Sequence, residues 1–222
     1  MMVLFMLCLQ QLRAGFVVRV INDFTHQGDA RRALANATWA AVPNAILRFE
    51  AATILRNPDA LKHQEAPGRL SLKQISLVRS HAKLYAELLR SDEPHMLIAE
   101  DDLRLCPTFS QAYAAVLSQL PRDFDWVKLE QCNGPLHHCP RTIEVRPGHH
   151  ACTALYIVSK AGAAWLLKVN PPNRPGWASD GAMDDVHWKP KGVRPPRKYS
   201  VPPLGWQDKS YKKKDDSKRA VP

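Results

Sequence analysis

Apolar runs and amphipathic stretches alternate along the chain, and their periods predict its elements. Residues 16–21 form a β-branched run ending in Asn22 and Asp23, the pattern of a buried strand whose polar end opens into a loop. Helical composition follows over residues 29–41, a second short strand over 46–51, and then a polar loop carrying Pro58, Pro67 and Gly68. The clearest helix begins after Ser71. Ser71 with Gln74 at the third helical position has the form of a capping box, and Leu70 with Ile75 that of a hydrophobic staple. Its apolar positions, Leu72, Ile75, Val78, Ala82, Tyr85 and Leu89, recur every three or four residues and mark one buried face. Lys73, Lys83, Glu87 and Arg90 are left for solvent.

Residues 96–99 are apolar without alternation, as in a central strand covered on both faces. Pro107 opens another helix that turns Phe109, Tyr113, Val116, Leu117 and Leu120 inward. Strands are expected over 125–130 and 153–158, and Ser159 caps an Ala-rich helix that runs through Lys168 and stops at Pro171 and Pro172. Strands and helices alternating in this way predict an α/β fold, a largely parallel central sheet flanked by helices, with no internal repeat. Prolines multiply after residue 170, so 170–208 is expected to lack regular structure and to wrap the body as an arm. The chain thus reads as one domain over residues 1–208, followed by a basic and disordered tail over 209–222.

Composition narrows the class. Across 222 residues, 45% hydrophobic and 23% charged side chains exclude a wholly disordered, collagen-like or disulfide-knot chain. The net charge of +10 is unevenly placed: residues 189–222 hold eleven Lys and Arg against three Asp, leaving the body nearly neutral. Those lysines suit phosphate on nucleic acid, an anionic membrane surface or an acidic glycan, and equally a solubilising tail. No RNA-binding aromatic signature interleaves them, so no specific nucleic-acid partner is expected. Trp177, Trp188 and Trp206 lie in the arm, where stacking on a sugar ring and simple burial are both open.

Five cysteines, an odd number, do not suggest a disulfide framework, so a reducing, cytoplasmic setting is expected, at the membrane surface if the tail binds lipid. The apolar start over residues 1–9 reads as a leader into the first strand; as a signal segment or a truncated end it would place the protein in the secretory lumen instead. Cys132, His137, His138, Cys139, His149, His150 and Cys152 crowd into 21 residues, but their spacings match no paired Cys-x-x-Cys knuckle and make a weak zinc signal. Cys132 and Cys139 pairing in an oxidising lumen is the other reading.

The most informative feature is Glu100-Asp101-Asp102 at the end of an apolar strand. Three like charges there are costly unless a cation joins them, and hard carboxylate oxygens suit Mg²⁺ or Mn²⁺ shared with a substrate diphosphate. A solvated loop start is the competing reading. His81 stands beside the apolar stripe, three residues after Val78 and four before Tyr85, which fits a packed histidine as well as a ligand contact.

Six segments in order resemble glycosyltransferase family 25, the lipooligosaccharide and procollagen galactosyltransferase group. They are residues 18–22 with Arg31-Arg32 and later Arg48-Phe49-Glu50-Ala51, the helix from Leu70 to Ser80-His81, Leu97-Ile98-Ala99-Glu100-Asp101-Asp102, Asp125-Trp126-Val127-Lys128-Leu129, residues 153–163, and finally Asp180 with Pro203-Leu204 and Gln207. The resemblance implies an A-type glycosyltransferase fold and a metal-dependent, inverting transfer of a hexose, galactose being the commonest, from a UDP-sugar. The acceptor would be a hydroxyl on a glycan, a lipooligosaccharide or a glycoprotein. It implies Glu100 and Asp102 as ligands of Mn²⁺ or Mg²⁺, and Asn22, Arg32, Ser80, His81, Asp101 and Gln207 around the donor. Asp180 is the candidate base, with Glu130, Asp184 and Asp185 competing. The chain departs from the family where Lys73-Gln74 replaces Gly-Glu and Asp23 replaces a Leu. An inactive relative that binds through the Cys/His loop or the basic tail is the alternative.

Overall fold

A computed structural model of the chain describes residues 16–22, 26–51, 70–131, 136, 138–148, 152–173, 175, 178–184 and 194–208. The elements, in order, are β1 (Phe16–Asn22), α1 (His26–Ala40), β2 (Ala45–Ala51), α2 (Leu72–Arg90), β3 (His95–Glu100), β4 (Leu103–Leu105) and α3 (Phe109–Gln119). They continue with β5 (Trp126–Gln131), β6 (Arg146–Pro147), β7 (Leu155–Ser159), α4 (Lys160–Val169), α5 (Ser179–Asp184) and β8 (Lys198–Gln207). The strands form a single sheet of order β2-β1-β3-β7-β5-β8-β4, with β6 also on β8. β1, β2, β3, β5 and β8 run one way, and β4, β6 and β7 run against them. This is the α/β architecture that the alternation of elements predicts.

The period-two alternation of strands splits the core into two layers. Val18, Val20, Leu97, Ala99, Val127, Leu129, Leu155 and Ile157 pack with Trp39 of α1 and with Phe109 and Tyr113 of α3. Ile21, Met96, Ile98, Trp126, Tyr156 and Val158 face the other way, onto Leu84, Tyr85 and Leu88 of α2 and Trp165 and Leu166 of α4. The capping box forms: the Ser71 hydroxyl accepts from the Gln74 amide at 3.2 Å and Gln74 Oε1 accepts from the Ser71 amide at 2.8 Å. Ser159 caps α4 by accepting from Gly162 N at 3.1 Å. Asn44, at a φ of 64°, makes the left-handed turn into β2 that an Asn tolerates.

Three expectations are corrected. On α2 the buried face includes His81, Leu84 and Leu88, while Leu89 turns out to solvent, because the stripe is wider than a single row of threes and fours. The arm is not irregular throughout: it contains α5 and the ten-residue β8. Pro202 and Pro203 are tolerated in β8 because its pairing with β5 jumps from Ser200 opposite Lys128 to Gly205 opposite Glu130, so the residues that lack an N–H fall in the irregularity. The cysteines are not all free: Cys106 and Cys139 form a disulfide with Cα atoms 5.7 Å apart, and Cys152 is disulfide-bonded as well. The sulfurs of Cys139 and Cys152 are therefore spoken for, which removes them from the zinc reading; Cys132, His137, His149 and His150 lie outside the described residues. So do Asp23, Asp185, Trp177, Trp188 and the tail over 209–222. Among the described residues no helix is long and apolar enough to cross a membrane.

Candidate active site

The acidic triplet stands where β3 turns into β4, at the C-terminal edge of the strands that share its direction, the edge at which α/β sheets bind ligands. Its three carboxylates separate. Asp101 turns toward β1, where Asn22 Nδ2 donates to its Oδ2 at 2.7 Å and Arg31 Nη1 stands 3.5 Å from its Oδ1. The β1–β3 register, Ile21 opposite Glu100, makes that meeting unavoidable.

Glu100 and Asp102 converge instead on one amide. Gln207, the last residue of β8, is fixed opposite Leu103 by the β4–β8 ladder, and its Nε2 donates to Glu100 Oε2 at 3.1 Å and to Asp102 Oδ1 at 3.4 Å. Thr153 adds a long bond to Glu100 Oε1, 3.3 Å, and is itself 3.2 Å from the Ser179 hydroxyl at the start of α5. Burial first, then the charges of Asp102, Glu130 and Asp101, push the Glu100 carboxyl up to about 8. Two crowded carboxylates that meet at one neutral amide are the kind of oxygen pair that a divalent cation neutralises. Among the described residues no three His, Cys, Asp or Glu side chains gather around one point.

The other expected residues sort by place. Asp180 lies on α5 and follows Ser179, whose hydroxyl meets Thr153 beside Glu100; its own Oδ1 accepts from Gly181 N at 2.9 Å. Ser80 is buried on α2, bonded to Ser76 O at 2.8 Å, and lines a cleft of about 300 Å³ with Ile21, Glu50, Ala51, Lys83 and Glu87. Arg32 Nη2 bonds Asp29 on the surface at 2.5 Å, so it is Arg31, which had no assigned role, that reaches the triplet. His81 is sealed beneath the site: its Nδ1 is 2.7 Å from the Tyr156 hydroxyl, and burial, with Lys128 nearby, pulls its pKa down to about 3. Glu130 is unsuited to the role of base. Both its oxygens accept backbone N–H groups, from Ala154 at 3.1 Å and Leu155 at 3.0 Å, which makes it a clamp on the start of β7. Asp184 belongs to α5 and Asp185 lies outside the described residues.

Thr153 and Ser179 were not singled out in sequence as site residues. A polar residue opening an apolar strand was the available signal for Thr153, and nothing local marks Ser179.

The family model "Glycosyltransferase family 25 (LPS biosynthesis protein)" matches residues 41–183, well over half of the chain. The chain belongs to glycosyltransferase family 25. As a glycosyltransferase of this family it takes a nucleotide-sugar donor and a glycan acceptor. The crystal structure of a glycosyltransferase involved in the glycosylation of the major capsid of PBCV-1 is similar over 92% of this chain and 99% of that one, with a TM-score of 0.46 and 10% sequence identity. Among curated proteins none matches significantly.

Proposed function

We propose that this family 25 chain is a metal-dependent, inverting transferase that moves a hexose, galactose first among candidates, from a UDP-sugar to a hydroxyl of a glycan, lipooligosaccharide or glycoprotein. The observation that carries the reading is the convergence of Glu100 and Asp102 on Gln207 at a strand edge. Mn²⁺ or Mg²⁺ held by these two carboxylates would supply positive charge to the diphosphate leaving group.

The chain's own groups do the rest. Asn22 and Arg31 anchor Asp101, which keeps the loop from β3 to β4 in place and presents a guanidinium toward the phosphates. The cleft beside Ser80, between the ends of β1 and β2 and α2, offers room for the nucleoside. Asp180 takes the proton of the acceptor hydroxyl as its oxygen bonds to the anomeric carbon; the carbon's bond to the UDP oxygen breaks, and the electron pair leaves with UDP. Attack from the side opposite the leaving group inverts the anomeric centre. The departure at Gln74 has a structural use, since its side chain closes the capping box of α2. Bonded cysteines persist in oxidising compartments, which favours the lumenal over the cytoplasmic placement. Peripheral contact of the basic tail with an anionic membrane remains part of the proposal.

The test is a thermal-shift panel with UDP-galactose, UDP-glucose, UDP-N-acetylglucosamine and GDP-mannose, each with Mn²⁺ or EDTA. A ligand at a hundredfold excess over its dissociation constant adds about 2.7 kcal/mol of stability. The expected result is a Mn²⁺-dependent shift with one UDP-sugar that Asp102→Ala abolishes. No shift with any sugar nucleotide would favour the inactive relative and direct attention to the Cys/His loop and the tail.

A further inference from the structure

Beneath the site lies a line of polar side chains that the transfer step does not use. The Tyr85 and Tyr156 hydroxyls are 2.7 Å apart, and the Tyr156 hydroxyl is 2.7 Å from His81 Nδ1. All three residues are buried, between α2 and β7. The far nitrogen, His81 Nε2, is buried without a hydrogen-bond partner among the described residues and faces Glu100 Oε1 at 3.9 Å.

Counting protons gives the line a direction. Each hydroxyl has one proton to donate, and a neutral imidazole has one N–H. If His81 carried its proton on Nδ1, that proton would go to Tyr156, the Tyr156 proton to Tyr85, and the Tyr85 proton would have no acceptor among these groups. An imidazolium meets the same dead end and adds a second cation beside Lys128, whose Nζ is 5.7 Å from the centre of the Tyr156 ring. With the proton on Nε2, Tyr85 donates to Tyr156 and Tyr156 to His81 Nδ1, and the one donor left over, Nε2–H, is the one with a carboxyl oxygen in front of it, Glu100 Oε1 at 3.9 Å. The 3.9 Å gap is too long for a hydrogen bond, but a carboxylate shift of about 1 Å closes it.

We propose that His81 is a positioning residue: the one-way chain from Tyr85 through Tyr156 fixes its Nε2–H toward Glu100 and holds that carboxylate for the cation. This rests on the metal-dependent reading above. It moves His81 from the donor's surroundings, where the family resemblance puts it, to a place behind a ligand. Such outer partners of metal ligands typically change affinity by 10–100-fold when removed.

Two measurements test it. Long-range ¹H–¹⁵N NMR of the intact wild-type chain, recorded above pH 8 so that Glu100 is a carboxylate, reads the tautomer without metal or substrate. A neutral ring protonated on Nε2 is expected, and a proton on Nδ1 or a charged ring overturns the proposal. Calorimetric titration of Mn²⁺ in the presence of UDP should then show a loss of about 10–100-fold in affinity for Tyr156→Phe and for His81→Ala. His81→Gln, whose amide can still donate, should recover part of that loss. Melting curves identify any variant that fails to fold, in which case the wild-type tautomer decides. Unchanged Mn²⁺ affinity in the folded variants, with a wild type that binds, overturns this proposal alone. A wild type that takes no Mn²⁺ even with UDP overturns the metal-dependent reading and this proposal with it.

Discussion

Two carboxylate centres stand at opposite ends of the same sheet, and they are built to opposite rules. Asp125, just before β5, is fully buried and fully answered: Arg194 donates to both its oxygens, at 2.7 and 2.6 Å, and the Arg197 amide donates at 2.6 Å. Its own backbone accepts from Ser159 N at 2.9 Å, so one residue ties the arm, β5 and the start of α4 together. At the other end, Glu100 and Asp102 share one amide through bonds of 3.1 and 3.4 Å. A carboxylate held by a bidentate guanidinium and a backbone N–H has little left for a ligand. Crowded carboxylates of like charge are an unfavourable arrangement that a cation relieves, which is how binding sites commonly trade stability for function.

Exchanging charge for amide at each centre should therefore have crossed effects, and these are the largest expected. Asp102→Asn should lower transfer by more than about 100-fold while leaving the melting temperature unchanged or raised, since it relieves like-charge repulsion. Asp125→Ala should cost about 3 kcal/mol in a denaturant titration, because it strands Arg194 and frees the arm, yet leave donor affinity in the folded fraction near wild type. Equal losses of stability at both positions would erase the distinction.

Gly162 sharpens the structural half. It sits in the first turn of α4 against the Asp125 peptide, and a Cβ there would lie 2.1 Å from the Asp125 carbonyl oxygen and 2.7 Å from its carbon. Backbone cannot give way cheaply, so Gly162→Ala should destabilise by roughly 2–3 kcal/mol, measured by chemical denaturation, with no change in the metal dependence of transfer.

The two centres also differ in how much of them the chain announces. Glu100-Asp101-Asp102 stands out because three charges end an apolar run, and local pattern suffices to find it. Asp125 shows nothing comparable, since its partners Arg194 and Arg197 are some seventy residues away and their meaning depends on β8 joining β5. That strand was itself hidden: prolines argue against a central strand, and only the jump in pairing at Lys128 and Glu130 excuses them. Ser71, Gln74 and Ser159 were legible because a cap and its partner lie within three residues. Arg31 and Arg32 were separable only once the turn of α1 fixed which guanidinium faces Asp101.

Protonation offers a finer probe of the ligand-ready end. Glu100, ordinarily at 4.5, is pushed up to about 8 in the fold, so its stabilising contribution is complete below 4.5 and is lost as pH rises through about 8. Burial raises Glu130 in the same direction. His81 works from the other side: lowered from 6.5 to about 3, it withdraws stability as pH falls below 6.5, and His95, lowered by burial, adds to this. Above pH 6.5 the carboxyls alone govern. In EDTA, stability should fall by on the order of 1–2 kcal/mol between pH 6.5 and 8.5, and Glu100→Gln should flatten most of that slope in melting curves. An unchanged slope in the variant would assign the proton to another group.

The smallest expected effect separates neighbours on α1. Arg32 pairs with Asp29 at the surface, at 2.5 Å, an exposed i,i+3 contact worth at most about 1 kcal/mol, so Arg32→Ala should leave UDP affinity within about twofold. Arg31 stands 3.5 Å from Asp101, whose side chain is only 7% exposed, in a setting where water screens less. Arg31→Ala should weaken UDP binding by about threefold to tenfold in calorimetry, and the loss should shrink at high salt if the guanidinium acts on the phosphates through its charge. Equal effects at the two positions would mean that Arg31 does no more for the phosphates than a surface arginine, which would leave the carboxylates of Glu100 and Asp102, with the cation they hold, to bear on the diphosphate among the described residues.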